Sequence, residues 1–172
     1  EKFGCEDPRI TFFEGHYYTF YTALSGYPFS AGNIKVAVGI SKDLKQIDER
    51  HLITPFNAKA ATLFPERIEW KVVLMLTAHT DEPGTQIAIA EADEVADFWD
   101  PRFWEKWHED IEKYSINPRR ISYDHIEVGA TPIKTSHGWL LIYSHIQNYF
   151  PSPQNLERIF GIEAVLLGKN NP

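Results

Sequence analysis

Apolar and polar residues alternate at every second position in several short runs, and clusters of Gly, Pro, Asn, Asp and Ser separate those runs. A period of two places successive side chains on opposite faces of an extended strand. Ile10–Phe13 and Tyr17–Thr22 flank Glu14-Gly15 and predict a hairpin. Ile34–Ser41 follows the loop SGYPFSAGN and predicts another strand, and Leu63, Val72–Leu76 and Gln86–Ala90 predict a meander. Ile133–Thr135 and Trp139–Ser144 flank Ser136-His137-Gly138 as a second hairpin, with Ile162–Leu167 as a last strand before GKNNP. Strands at this spacing, without helices alternating between them, predict an all-β sandwich, barrel or propeller.

One stretch departs from the period. In FWDPRFWEKWHEDIEKY, Asp100 is placed to cap a helix with Pro101 at its first position. Phe103, Trp107, Ile111 and Tyr114 then recur at helical spacing as one apolar stripe. Such a stripe reads as core packing rather than as an aromatic platform for a sugar. The expected organisation is one domain over residues 1–172 with a helical insertion at 91–120.

Three segments, ITFFEGHYYTFYTA, PERIEWKVVLMLTAH and IKTSHGWLLIYSH, share a strand-turn-strand pattern. A propeller blade takes roughly 40–50 residues. The chain of 172 residues therefore accommodates about three to four blades once the helical insertion is set aside. An open propeller leaves strand edges unpaired, which predicts association with a second copy or with a missing propeller segment.

The charge balance is 17 − 24 = −7, with no basic run, which disfavours nucleic acid and anionic membrane as partners. The single cysteine, Cys5, allows no intrachain disulfide and no cysteine-based zinc site. No Asn-x-Ser/Thr sequon occurs, and the expected location is the cytoplasm. No HExxH or comparable spacing among the histidines predicts a catalytic metal.

The cluster Glu6-Asp7-Pro8-Arg9 stands at the mouth of the first hairpin. Pro8 is expected to hold Asp7 extended, with its carboxyl toward a central pocket, while Arg9 bonds sugar hydroxyls or a neighbouring carboxylate. A solvated turn is the other reading of the same residues. Glu163 interrupts the apolar run FGIEAVLL, so its carboxylate must be paired, with Arg158 or Lys169 as local candidates, or must line a polar cavity.

Four segments together resemble glycoside hydrolase family 130, mannoside phosphorylases and mannosidases with a five-bladed propeller. They are Glu6-Asp7-Pro8-Arg9 with Tyr21-Thr22-Ala23; Lys59 ahead of Phe64-Pro65-Glu66; Gly129-Ala130-Thr131-Pro132-Ile133 with Gly138-Trp139-Leu140-Leu141-Ile142-Tyr143; and Gly161 to Leu167 ahead of Asn171-Pro172. The resemblance implies a partial propeller and a β-linked mannoside substrate. It also implies that Asp7 is the proton donor, acting by relay through a sugar hydroxyl, and that Lys59 occupies a basic position. It implies no cofactor, with inorganic phosphate as co-substrate if the protein is a phosphorylase.

Departures from the family pattern tilt the expectation toward hydrolysis. Leu76-Thr77-Ala78-His79-Thr80 lacks the arginine that phosphorylases carry there, Tyr143-Ser144-His145 replaces a Tyr-His-Gly, and Glu127 stands where a basic residue is expected. In a hydrolase, Glu127 or Glu163 would activate water opposite Asp7, with the two carboxyls roughly 6.5–9.5 Å apart. Arg9, Lys59, His79, His125, Tyr143 and His145 are the candidate substrate contacts, and core hydrogen bonding is the other reading of His125. Two alternatives remain: a phosphorylase in which Lys59, His79, His145 or Arg119/Arg120 rebuild the anion site, and a non-catalytic carbohydrate-binding module.

Overall fold

A computed structural model describes residues 3–170 and 172; of the motif residues, Asn171 lies outside the described residues. The strands are β1 (Cys5–Phe13), β2 (His16–Leu24), β3 (Ile34–Ser41), β4 (Glu49–Leu52), β5 (Ala58–Leu63), β6 (Val72–Ala78), β7 (Gln86–Ala92), β8 (Ser115–Ile116), β9 (His125–Val128), β10 (Ile133–Lys134), β11 (Trp139–Gln147) and β12 (Ile159–Leu167). They form three antiparallel four-stranded sheets. The first two run β1-β2-β3-β4 and β5-β6-β7-β8. In the third, β9 and β10 share one edge of β11 and β12 pairs along the other. The fold is an all-β partial propeller of three blades, at the lower end of the expected three to four.

The two predicted hairpins fall in the first and third blades. Phe13 pairs with His16 across Glu14 and Gly15, both with positive φ, as a tight two-residue turn demands. Lys134 pairs with Trp139 across the second hairpin. There Gly138 has φ 148°, and a Cβ at that position would lie 2.1 Å from the Leu167 carbonyl oxygen, so glycine alone fits.

The helical segment differs in detail from its sequence pattern. The helix α1 (Pro101–Glu109) begins as expected, with the Asp100 side chain accepting from the Arg102 amide. It stops at Asp110, and a 3-10 turn carries Ile111–Tyr114 into β8. Within α1 Trp104 joins Trp107 in the core, and the 3-10 turn then breaks the hundred-degree period, leaving Tyr114 exposed. Both indoles donate into the fold, Trp104 Nε1 to Phe98 O at 2.9 Å and Trp107 Nε1 to Ile89 O at 3.0 Å. They are packing residues.

The middle sheet is covered on both faces, which explains why β6 reads VVLMLTA without alternation. Val72, Leu74 and Leu76 pack toward the first sheet, together with Phe20, Val36 and Val38. Val73 and Met75 pack toward the third sheet, against Ile126, Trp139 and Leu141. Beyond that the third sheet is open: Phe160 and Ile162 on β12 are 73% and 81% exposed. Leu74→Ala should therefore cost roughly 2–5 kcal/mol in urea unfolding, whereas Ile162→Ala should cost less than about 1 kcal/mol. Equal costs would show that the open face is buried in solution.

Candidate active site

The first strands of the three sheets meet, and each delivers charge to the meeting point. β1 contributes Asp7 and Arg9, β5 contributes Lys59, and β9 contributes Glu127. Two of these strands are interrupted at the site: the register shifts between Glu6 and Arg9 in β1 and between Lys59 and Thr62 in β5. A bulge releases a residue from the ladder and re-aims its side chain. Pro8 suits this position, since it has no N–H to offer a ladder.

Asp7 is not extended as the Pro8 rule predicts. Its φ is 51°, in the left-handed region, which aspartate tolerates better than most side chains and which the bulge imposes. Ala60 at the corresponding bulge has φ 53°. The same backbone device thus shapes the site on two neighbouring blades.

Arg9 is the tie between blades. Its Nε donates to Gly129 O at 2.6 Å, Nη2 to Val128 O at 2.6 Å, and Nη1 to Asp7 O at 2.9 Å. Gly129 permits the approach of the neighbouring strand, because a Cβ there would lie 2.5 Å from Ile142 O. The guanidinium also stands 3.9 Å from Glu127 Oε1, and Lys59 Nζ is 2.9 Å from Glu127 Oε2. Burial acts to lower the Lys59 ammonium pKa, but the contact with Glu127 and the charges of Asp81 and Asp7 outweigh it, so the net shift is upward. For Arg9 burial wins over Glu127 and Asp7, and the shift is downward.

Two residues that the sequence pattern does not single out complete this side. Asp81 Oδ2 lies 4.0 Å from Lys59 Nζ, and Tyr149 Oη donates to Asp81 Oδ1 at 2.7 Å. His125 sits behind them, fully buried, with its Nε2 accepting from the Asp81 amide at 3.4 Å and its ring 4.6 Å from that of Tyr149. Nothing local marks a pairing across the 68 residues between Asp81 and Tyr149; it follows from packing alone.

The structure separates the other candidates from this group. Tyr143 faces Glu163 across β11 and β12, whereas the adjacent Ser144 faces Glu127 across β11 and β9. Successive residues point to opposite faces, so Glu127 and Glu163 stand on opposite faces of the third sheet. Glu163 is paired, though with neither local candidate. It accepts from His145 Nδ1 at 2.9 Å, Tyr143 Oη at 2.9 Å and Arg120 Nη2 at 2.5 Å. His145 Nε2 meets Asp124 Oδ2 at 2.9 Å, and the ring is fully buried. A neutral imidazole has one N–H, so two carboxylate partners require a further proton on the ring or on a carboxyl.

The hydrogen bonds from His145 and then Tyr143 hold the Glu163 carboxyl below its usual range, and burial followed by Glu163 pushes the Tyr143 phenol up to about 12. His79 is elsewhere again, its ring 5.3 Å from that of His108. Arg119 bonds Asn117 at 2.8 Å. A cleft of about 590 Å³ lined by Glu14, His16, Tyr18, Glu49, Glu94 and Trp99 opens near the turn end of β1 and includes none of the charged site residues.

The fold is a partial propeller whose first strands bring cationic and acidic side chains together. A family model described as β-1,4-mannooligosaccharide phosphorylase matches residues 1–167, so the chain belongs to glycoside hydrolase family 130. It is 30% identical over 169 residues to a 1,2-β-oligomannan phosphorylase of Thermoanaerobacter sp., covering 98% of this chain and 49% of that protein. A β-1,2-mannobiose phosphorylase of Listeria innocua is 26% identical over 174 residues, covering 100% of this chain and 42% of its own length. The chain thus spans about half the length of the curated relatives it matches.

Solved structures agree in fold. The Listeria innocua β-1,2-mannobiose phosphorylase in complex with β-1,2-mannobiose has a TM-score of 0.63 at 23% identity, over 99% of this chain and 42% of that one. A second family structure, reported with hydrolases that target β-1,2-mannosidic linkages in Candida mannan, has a TM-score of 0.67 at 19% identity, over 98% and 49%. The sequence relatives are phosphorylases, so the expected preference for hydrolysis lacks support from them.

His125 offers a test of the site's electrostatics. Burial and then the Lys59 ammonium push its imidazole down to about 4, with Asp81 opposing them. The folded form therefore binds fewer protons than the unfolded chain, whose histidine titrates near 6.5. The resulting stability is present above pH 6.5 and is lost as pH falls toward 4, on the order of 3 kcal/mol in all. The stability difference between wild type and His125→Gln, from urea unfolding at pH 7 and pH 4.5, should shrink on acidification. A difference independent of pH would show that His125 is not held neutral.

Proposed function

We propose that this protein acts on β-1,2-linked mannosides and cleaves them by phosphorolysis. The observation that carries the reading is the meeting of Asp7, Arg9 and Lys59 on adjoining first strands, in a chain 30% identical over 98% of its length to a 1,2-β-oligomannan phosphorylase. In this scheme a phosphate oxygen bonds to the mannosyl C1 as the glycosidic C1–O bond breaks. Asp7 supplies the proton taken by the leaving oxygen, through a sugar hydroxyl. Lys59 and Arg9 are cations suited to the incoming anion. The products are mannose 1-phosphate and a mannoside one unit shorter.

One observation favours hydrolysis as a second reading. Glu127 already neutralises Lys59 at 2.9 Å and faces Arg9 at 3.9 Å, so the described cations are not free to receive a dianion. In that scheme water replaces phosphate and free mannose is released.

Incubating the protein with β-1,2-mannobiose, with and without inorganic phosphate, separates the two. Mannose 1-phosphate formed only when phosphate is present is the expected result. Mannose released at the same rate in both conditions would replace phosphorolysis by hydrolysis, and no cleavage in either would leave a sugar-binding module. Asp7→Asn should lower kcat by about a hundredfold or more and leave mannobiose binding by calorimetry within about twofold. Undiminished turnover would remove Asp7 from the chemistry.

A further inference from the structure

Glu127 holds an unusual place for a carboxylate on a strand. Each of its two oxygens faces a different cation, Oε2 toward Lys59 Nζ at 2.9 Å and Oε1 toward Arg9 Nη2 at 3.9 Å. All three side chains are largely covered. Two oxygens bridging two cations reproduce the contacts that a tetrahedral oxyanion would make at the same place. Arg9 does not need Glu127 to stay there, since three backbone carbonyls already hold three of its five N–H donors, which leaves two. Lys59 has a second acid at hand, Asp81 at 4.0 Å.

We infer that Glu127 is an internal counter-ion that occupies the oxyanion position between Lys59 and Arg9, so that inorganic phosphate enters only by displacing it. The inference rests on the phosphorolytic reading of this site and adds a competition to it. The affinity for phosphate is the difference between what the anion gains from the two cations and what the Glu127 pair loses. A freed carboxylate beside a bound anion adds repulsion, and at a partly buried site one unit charge a few ångströms away changes affinity by about tenfold or more.

The test is calorimetric titration with inorganic phosphate of wild type, Glu127→Gln, Glu127→Ala and Lys59→Met. Both Glu127 variants should bind phosphate about tenfold more tightly than wild type, and Lys59→Met should bind it more weakly than wild type. Equal or weaker phosphate binding by both Glu127 variants overturns the inference, since Glu127 would then organise the cations instead of competing for them. Absence of phosphate binding in every protein overturns it as well. Failure of phosphate-dependent cleavage with tightened binding in the variants would sink phosphorolysis and leave the counter-ion standing.

Discussion

Close packing onto β5 is the constraint on which everything else rests. This strand reads AKAATL, and its small residues face two neighbouring sheets at once: Ala58, Ala61 and Leu63 pack toward the first and Ala60 toward the third. A larger side chain at any of the three alanines would overpack an interior with no spare volume. At the centre Thr62 Oγ1 lies 2.7 Å from Thr131 Oγ1 and 3.4 Å from Thr11 Oγ1, so one buried hydroxyl touches the strands or loops of both neighbours. Blades held this near bring their first strands within reach of each other's side chains.

That proximity is what makes a charged site affordable in energetic terms. A buried arginine or lysine without partners would cost several kcal/mol. Arg9 is satisfied by two adjacent carbonyls of one other segment, Val128 and Gly129, and Lys59 by carboxylates from two others. The site is therefore also a joint: removing its charges weakens the contact between blades, and loosening the blades scatters its charges. The bulges in β1 and β5 belong to the same scheme: one takes Asp7 and Pro8 out of the ladder, and the other takes out Ala60 and Ala61 directly after Lys59, where the sheets converge.

The third sheet carries a second polar network, built around His145, that serves a different end. Asp124 accepts from the amides of Ile121 and Asn148 as well as meeting His145, and Glu163 gathers Tyr143 and Arg120. The network pins the segment before β9 to β11 and β12, and so fixes where β9 presents Glu127. Acids that look alike in the sequence thus divide into one at the meeting of the sheets and one that braces the strand behind it.

Local sequence determined the strands, the two hairpins and the start of the helix, because period two, Glu14-Gly15, Ser136-His137-Gly138 and Asp100-Pro101 act within a few residues of backbone. The motifs around Asp7, Lys59 and Gly129 were legible as a family pattern, and Lys59 with Arg9 proved to share one site. Short β4 and β8, the end of α1 at Asp110, and the left-handed Asp7 were not legible, since pairing and bulge register decide them. Nor were the partners: Glu163 found Arg120 and His145, and Asp81 found Tyr149, across separations of 18 to 68 residues. Which face of the third sheet each acid occupies depends on strand register, and a one-residue slip would exchange them. Only the assembled blades settle that.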